Sequence, residues 1–102
     1  MPAVHRLQQT ETFAAWLGGL RDAKAKARIL ARLESARLGN LGDTKSLGGS
    51  VHEMRVHVGP GYRIYFARRH GAVLLLLCGG AKSSQTRDME RARRMLAELD
   101  ED

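Results

Sequence analysis

An α+β fold of element order β-α-α-β-β-β-α, an antiparallel-rich sheet with helices packed on one face, is what the 102 residues predict. Three patterns carry this prediction. VHEMRVHV (51–58) and YRIYFA (62–67) alternate apolar and polar side chains at the period of a strand and flank a Gly-Pro-Gly turn. AVLLLLC (72–78) is an unbroken apolar run, and helical spacing of apolar residues recurs before and after these three segments.

The first element is an edge strand in AVHRLQQ, marked by Val4 and Leu7 ahead of a helix start. Thr10 is an N-cap with Glu11 in the first turn, and Phe13, Trp16, Leu17 and Leu20 then share one helical face. Gly18 and Gly19 keep this helix short. Asp22 opens a longer one, DAKAKARILARLESARLG. Its expected inward stripe is Ala23, Ala27, Leu30 and Leu33, and its outward basic stripe is Lys24, Arg28 and Arg32. Gly39 stops it, and NLGDTKSLGGS reads as a loop.

A three-residue loop at Gly59-Pro60-Gly61 would pair Val58 with Tyr62, Val56 with Ile64 and Met54 with Phe66 on one face of the hairpin. The other face would pair His57 with Arg63, Arg55 with Tyr65 and Glu53 with Ala67. His52 falls on the apolar side, at the edge of the core. His70-Gly71 turns the chain into AVLLLLC, a central strand buried on both faces and ended by Gly79-Gly80, with Lys82 just beyond. Ser84 then caps a last helix that turns Met89, Ala92, Leu96 and Leu99 inward.

The length suits one domain, residues 1–102, and 43% apolar with 27% charged residues excludes a wholly disordered chain. The net charge of +6 is lowered by an acidic tail, LAELDED, so the body is more basic than the total. Such a field favours polyanions, nucleic acid first, although a merely soluble basic surface remains the alternative. The single cysteine, Cys78, excludes an intrachain disulfide or a cysteine metal site and reads as core. The apolar run is too short to span a membrane and no signal-peptide stretch opens the chain, so a cytoplasmic protein with no membrane partner is expected.

The polar side of the hairpin collects chemistry. Arg55, Arg63 and Lys82 offer positive charge to a phosphate, Tyr65 a phenol for stacking or proton donation, and Glu53 or His57 a base. These are the groups that RNA cleavage by its own 2′-hydroxyl requires, without a metal, and the four histidines show no spacing typical of metal ligands. Ordinary cross-strand Arg/Glu/Tyr pairs on an exposed face would look the same from spacing alone.

F-x-x-W-L-x-x-L (Phe13 to Leu20), GNLGDTKSLGGSVHEMRVHVGPGYRIYF (Gly39 to Phe66) and LLLLCGGAKSSQTRDMERA (Leu74 to Ala92) resemble the phage-type addiction-module killer proteins. That group is similar to HigB toxins within the RelE/ParE superfamily. The resemblance implies a RelE-like toxin of a type II toxin–antitoxin system. Such a toxin is an endoribonuclease that cuts mRNA in the ribosomal A site without cofactor or metal. It is held in check by a helix-turn-helix antitoxin from the adjacent gene. By position it implies Glu53, Arg55, Arg63, Tyr65 and Lys82 as catalytic residues and Lys45 as a contact to RNA; His57, Arg28 and Arg32 join Lys45 as RNA-binding candidates from their charge. Some relatives place a catalytic tyrosine or histidine near the C-terminus, and after Lys82 this chain has neither, which leaves Tyr65 or Glu53 to move protons. A ParE-like toxin that binds DNA gyrase, or a degenerate toxin that only binds its antitoxin, are the alternative readings.

Overall fold

The computed structural model describes residues 4–100. Its elements are β1 (Arg6–Gln9), α1 (Glu11–Gly18), α2 (Ala23–Arg37), β2 (Thr44–Ser46), β3 (His52–Val56), β4 (Tyr62–Arg69), β5 (Val73–Ala81), a short 3₁₀ turn (Lys82–Ser84) and α3 (Gln85–Asp100). The fold is α+β around one five-stranded mixed sheet of order β1-β5-β4-β3-β2. β1 runs parallel to β5 at one edge, and the remaining pairings are antiparallel.

The helices cover both faces of the sheet, which corrects the expectation of one. On the first face Phe13 of α1 and Ile29, Leu33 and Ala36 of α2 pack on Met54, Val56, Ile64, Phe66, Leu74 and Leu76. On the second, Ala92 and Leu96 of α3 pack on Val51, Tyr65, Ala67, Leu77 and Cys78. Successive strand residues point to opposite faces, so the mixed polar and apolar odd-numbered positions of β3 and β4 are the ones that α3 covers. A bulge in the β4–β5 pairing, where Tyr65 opposes Cys78 and Phe66 opposes Leu76, leaves Leu77 extra. Leu77 and Cys78 therefore both serve the second core.

Capping follows the expected chemistry in the first two helices, whereas Ser84, expected to cap the last, sits in the 3₁₀ turn and donates its hydroxyl to the Ala81 carbonyl and the Asp88 carboxylate. Thr10 Oγ1 accepts from the Phe13 amide at the start of α1, and Asp22 Oδ1 accepts from the Ala25 amide at the start of α2. In α2, however, Ala23, Ala27 and Leu30 lie outside and Ala25, Ile29, Leu33 and Ala36 lie inside. Both stripes satisfy helical spacing and share Leu33; the buried one carries the β-branched Ile29 inward. It also lets Arg32 reach back to the sheet, where its guanidinium donates to the carbonyls of Arg55 and Leu41. Gly42, at φ 66°, lies against that guanidinium, so a Cβ there would be strained by the backbone and would also push Arg32 aside.

β2 lies within the stretch read as loop. Its three residues carry no apolar alternation, and a short edge strand bearing a lysine gives little signal. The β3–β4 register also departs from expectation by two residues: Arg55 faces Arg63, Glu53 faces Tyr65 and Met54 faces Ile64. The connection is five residues long, with Gly61 N–H donating to the Val58 carbonyl while the Gly61 carbonyl accepts from Lys82 N–H. A two-residue shift preserves which face each side chain takes, so the polar set stays together.

Candidate nucleic-acid interface

Glu53, Arg55, Arg63 and Tyr65 point to the α3 face because each holds an odd position on β3 or β4. Lys82 starts the 3₁₀ turn after β5, and the tie from its amide to Gly61 brings it beside the β3–β4 loop. Arg55, His57, Tyr62, Arg63 and Lys82, with the loop backbone between them, line a groove of about 380 Å³ at this end of the sheet.

Carboxylates outside the groove lining pair with the cationic side chains that line it. Asp43 Oδ2 lies 2.6 Å from His57 Nε2 and Asp43 Oδ1 lies 3.2 Å from Arg55 Nη2. Arg55 Nε is 3.9 Å from Glu53 Oε1, and Arg63 Nε is 3.4 Å from Glu53 Oε2. Gln85, from the start of α3, donates to Glu53 Oε2 at 2.9 Å. Glu53 is thus a buried carboxylate, 1% exposed, whose two oxygens face two guanidinium groups and an amide. Removing a carboxylate so placed would leave buried positive charge unbalanced, a loss of about 3–5 kcal/mol for a buried pair.

Tyr65 is fully buried, and its hydroxyl has no hydrogen-bond partner among the described residues. Burial pushes the phenol above its ordinary range, with Glu53 and Asp88 adding to the shift, so it stays protonated. Beneath α3 the ring cannot stack on a nucleobase, which corrects the expectation of a solvent-facing phenol. Glu53 likewise does not face solvent as a free base. The hydrogen bond from His57 holds the Asp43 carboxyl below its usual value, with the Arg55 charge adding to it.

The remaining candidates separate. Lys45 is exposed on β2 opposite Glu53, and His57 is exposed at the groove mouth. Arg28 is exposed on α2 and contributes nothing to the groove lining. Arg32 is half-buried and spends its guanidinium on two backbone carbonyls, so it ties α2 to β3 instead of standing outward. Among the described residues, no three His, Cys, Asp or Glu side chains lie together as a metal site.

Sequence reasoning missed Asp43 and Gln85. Asp43 was hidden in a glycine-rich loop, 14 positions from His57, and becomes its neighbour because Arg55 N–H donates to the Asp43 carbonyl where β2 meets β3. Gln85 is 32 positions from Glu53 and reaches it only because α3 crosses the second sheet face.

A protein of Haemophilus influenzae described as uncharacterized is 40% identical over 94 residues, spanning 92% of this chain and 95% of that one. The two chains belong to one family. No family model matches the chain. The relative's description carries no activity, so the functional reading rests on the groove and on the resemblance noted in the sequence.

Proposed function

We propose that this chain is the toxin of a type II toxin–antitoxin system. In this reading it has a RelE-like fold, cleaves mRNA in the ribosomal A site without a metal, and is neutralised by a helix-turn-helix antitoxin from the adjacent gene. The observation that carries the reading is the groove itself, in which Arg55, Arg63 and Lys82 bring three cationic groups to one opening. Two of those guanidinium groups are oriented by one buried carboxylate. Such a cluster suits the developing negative charge of a phosphorane, formed when a 2′-oxygen attacks the adjacent phosphorus and the 5′-oxygen departs. Glu53 acts in this scheme by holding Arg55 and Arg63 in place. The basic net charge of +6 supports a polyanionic partner.

The test is induction of the chain alone and together with its neighbouring gene, with growth, translation rate, mRNA 5′ ends and DNA damage followed in parallel. Growth arrest with mRNA cut in frame, relieved by the neighbour, is expected. Lys82→Ala is the cleaner site variant, because Lys82 is exposed whereas Arg63 neutralises Glu53. It should lower the cutting rate by roughly 10²–10³-fold, as the loss of one transition-state donor does, without moving the melting temperature. Intact mRNA during arrest, with DNA breaks and an SOS response, would replace this reading with gyrase binding. A chain that arrests nothing would leave the antitoxin-binding alternative.

A further inference from the structure

One residue of the groove lining, His57, belongs to a carboxylate–imidazole pair that the cationic cluster does not account for. Asp43 Oδ2 and His57 Nε2 are 2.6 Å apart at the mouth of the opening shared by Arg55, Arg63 and Lys82. The pair is built in from both sides. Arg55 Nη2 sits 3.2 Å from the other Asp43 oxygen, Arg55 N–H donates to the Asp43 carbonyl, and Arg32 bonds the Leu41 and Arg55 carbonyls on either side of that contact. His57 follows β3 directly, and its side chain is 75% exposed, within reach of a ligand.

We infer that His57 is the general base of the proposed RNA cleavage and that Asp43 is its positioning residue; this rests on the endoribonuclease reading above. An ionised carboxylate only accepts hydrogen bonds, so Asp43 requires the proton on Nε2, and in the neutral imidazole this leaves Nδ1 with a lone pair. Neither Tyr65 nor Glu53 competes for the role, since one is sealed beneath α3 and the other is committed to Arg63 and Gln85. In the step, Nδ1 takes the 2′-hydroxyl proton as the O2′–P bond forms and the P–O5′ bond breaks. The 5′-oxygen takes a proton from water, and the imidazolium later returns its proton to the solvent, leaving a 2′,3′-cyclic phosphate and a 5′-hydroxyl.

Single-turnover cleavage of mRNA on programmed ribosomes, with proton–nitrogen NMR of the free toxin, tests this. His57→Ala should cut roughly 10²–10⁴-fold more slowly at saturating toxin, with the half-saturating concentration unchanged, and added imidazole should restore part of the rate. Asp43→Asn should slow the same step about tenfold or more and move the ring nitrogen shifts of His57, read through its carbon-bound protons, away from the Nε2–H tautomer that dominates the wild type. Both side chains are substantially exposed, so the variants should melt near the wild-type temperature. Wild-type cutting rates in either variant, a folded His57→Ala that imidazole does not rescue, or His57 ring nitrogen shifts that are the same in the wild type and Asp43→Asn would each overturn the assignment while leaving the endoribonuclease reading standing. A wild-type protein that leaves mRNA uncut would overturn both, and only that outcome reaches the parent reading.

Discussion

His52 shows how one side chain adjusts to a core edge. Its ring stacks on Phe66, its partner across the β3–β4 ladder, at 5.3 Å between centroids and 21° between planes. Burial lowers its pKa from the ordinary 6.5, and the Arg68 charge lowers it further. A folded-state value below the unfolded one means that the unfolded chain binds the extra proton first. The contribution of His52 to stability is therefore complete above pH 6.5 and is lost as pH falls through the lowered folded value. Thermal melts from pH 8 to pH 5 should show a falling midpoint, and His52→Gln should flatten that part of the curve. An unchanged slope in the variant would assign the pH dependence elsewhere. Tyr65 and Glu53 make the complementary point: polar residues whose strand position suggests reactivity are covered, and α3, which covers Tyr65 and supplies Gln85 to Glu53, is remote in sequence.

At the level of elements, Gly79 and Gly80 do not end β5, as their sequence suggests, but stay paired with Ile64 and Arg63 while the strand continues to Ala81, and they let two helices approach it. A Cβ at Gly79 would lie 2.4 Å from the Trp16 ring, and one at Gly80 would lie 1.9 Å from the Asp88 carboxylate, so α1 and α3 close on the same stretch of strand from opposite sides. Asp88 is itself buried and bonded to the Ser84 hydroxyl, and the thiol of Cys78 donates to the Asp88 carbonyl. Gly79→Ala and Gly80→Ala should each destabilise by about 1–3 kcal/mol through overpacking, read as a lower denaturant midpoint with unchanged slope. Wild-type stability in both would show that the helices yield. Sequence reads the glycine pair as the end of a strand, whereas it is a point of close approach within one, because the approaching residues lie 63 and 8 positions away. The same limit governs the rest. Local periodicity located β3, β4, β5 and all three helices, and parity kept Glu53, Arg55, Arg63 and Tyr65 on one face despite the two-residue register error. Which stripe of α2 would turn inward, whether α3 would cross the second face, and that Asp43 would meet His57 depended on tertiary contacts that no local window contains.

For the molecule as a whole, one sheet divides two cores, and β4 and β5 contribute residues to both. Neither core can be lost without exposing the back of the other, so unfolding should be a single cooperative transition. Cys78 offers a means of watching it. The thiol is buried, and burial raises its pKa to about 11, so at neutral pH the native protein presents almost no thiolate. Alkylation should be negligible in the native state and should rise with denaturant in step with the loss of helical signal. Labelling that runs ahead of the helical signal would show that α3 opens before the remainder of the sheet.

The position of Trp16 makes the protein its own optical reporter. It is the single tryptophan, its ring lies over Gly79, and it meets Tyr62 edge-on at 6.2 Å while Tyr62 lines the cationic groove. A polyanion entering that groove would touch the wall on which the fluorophore rests, so the proposed binding can be tested through intrinsic emission, with no label attached to the groove.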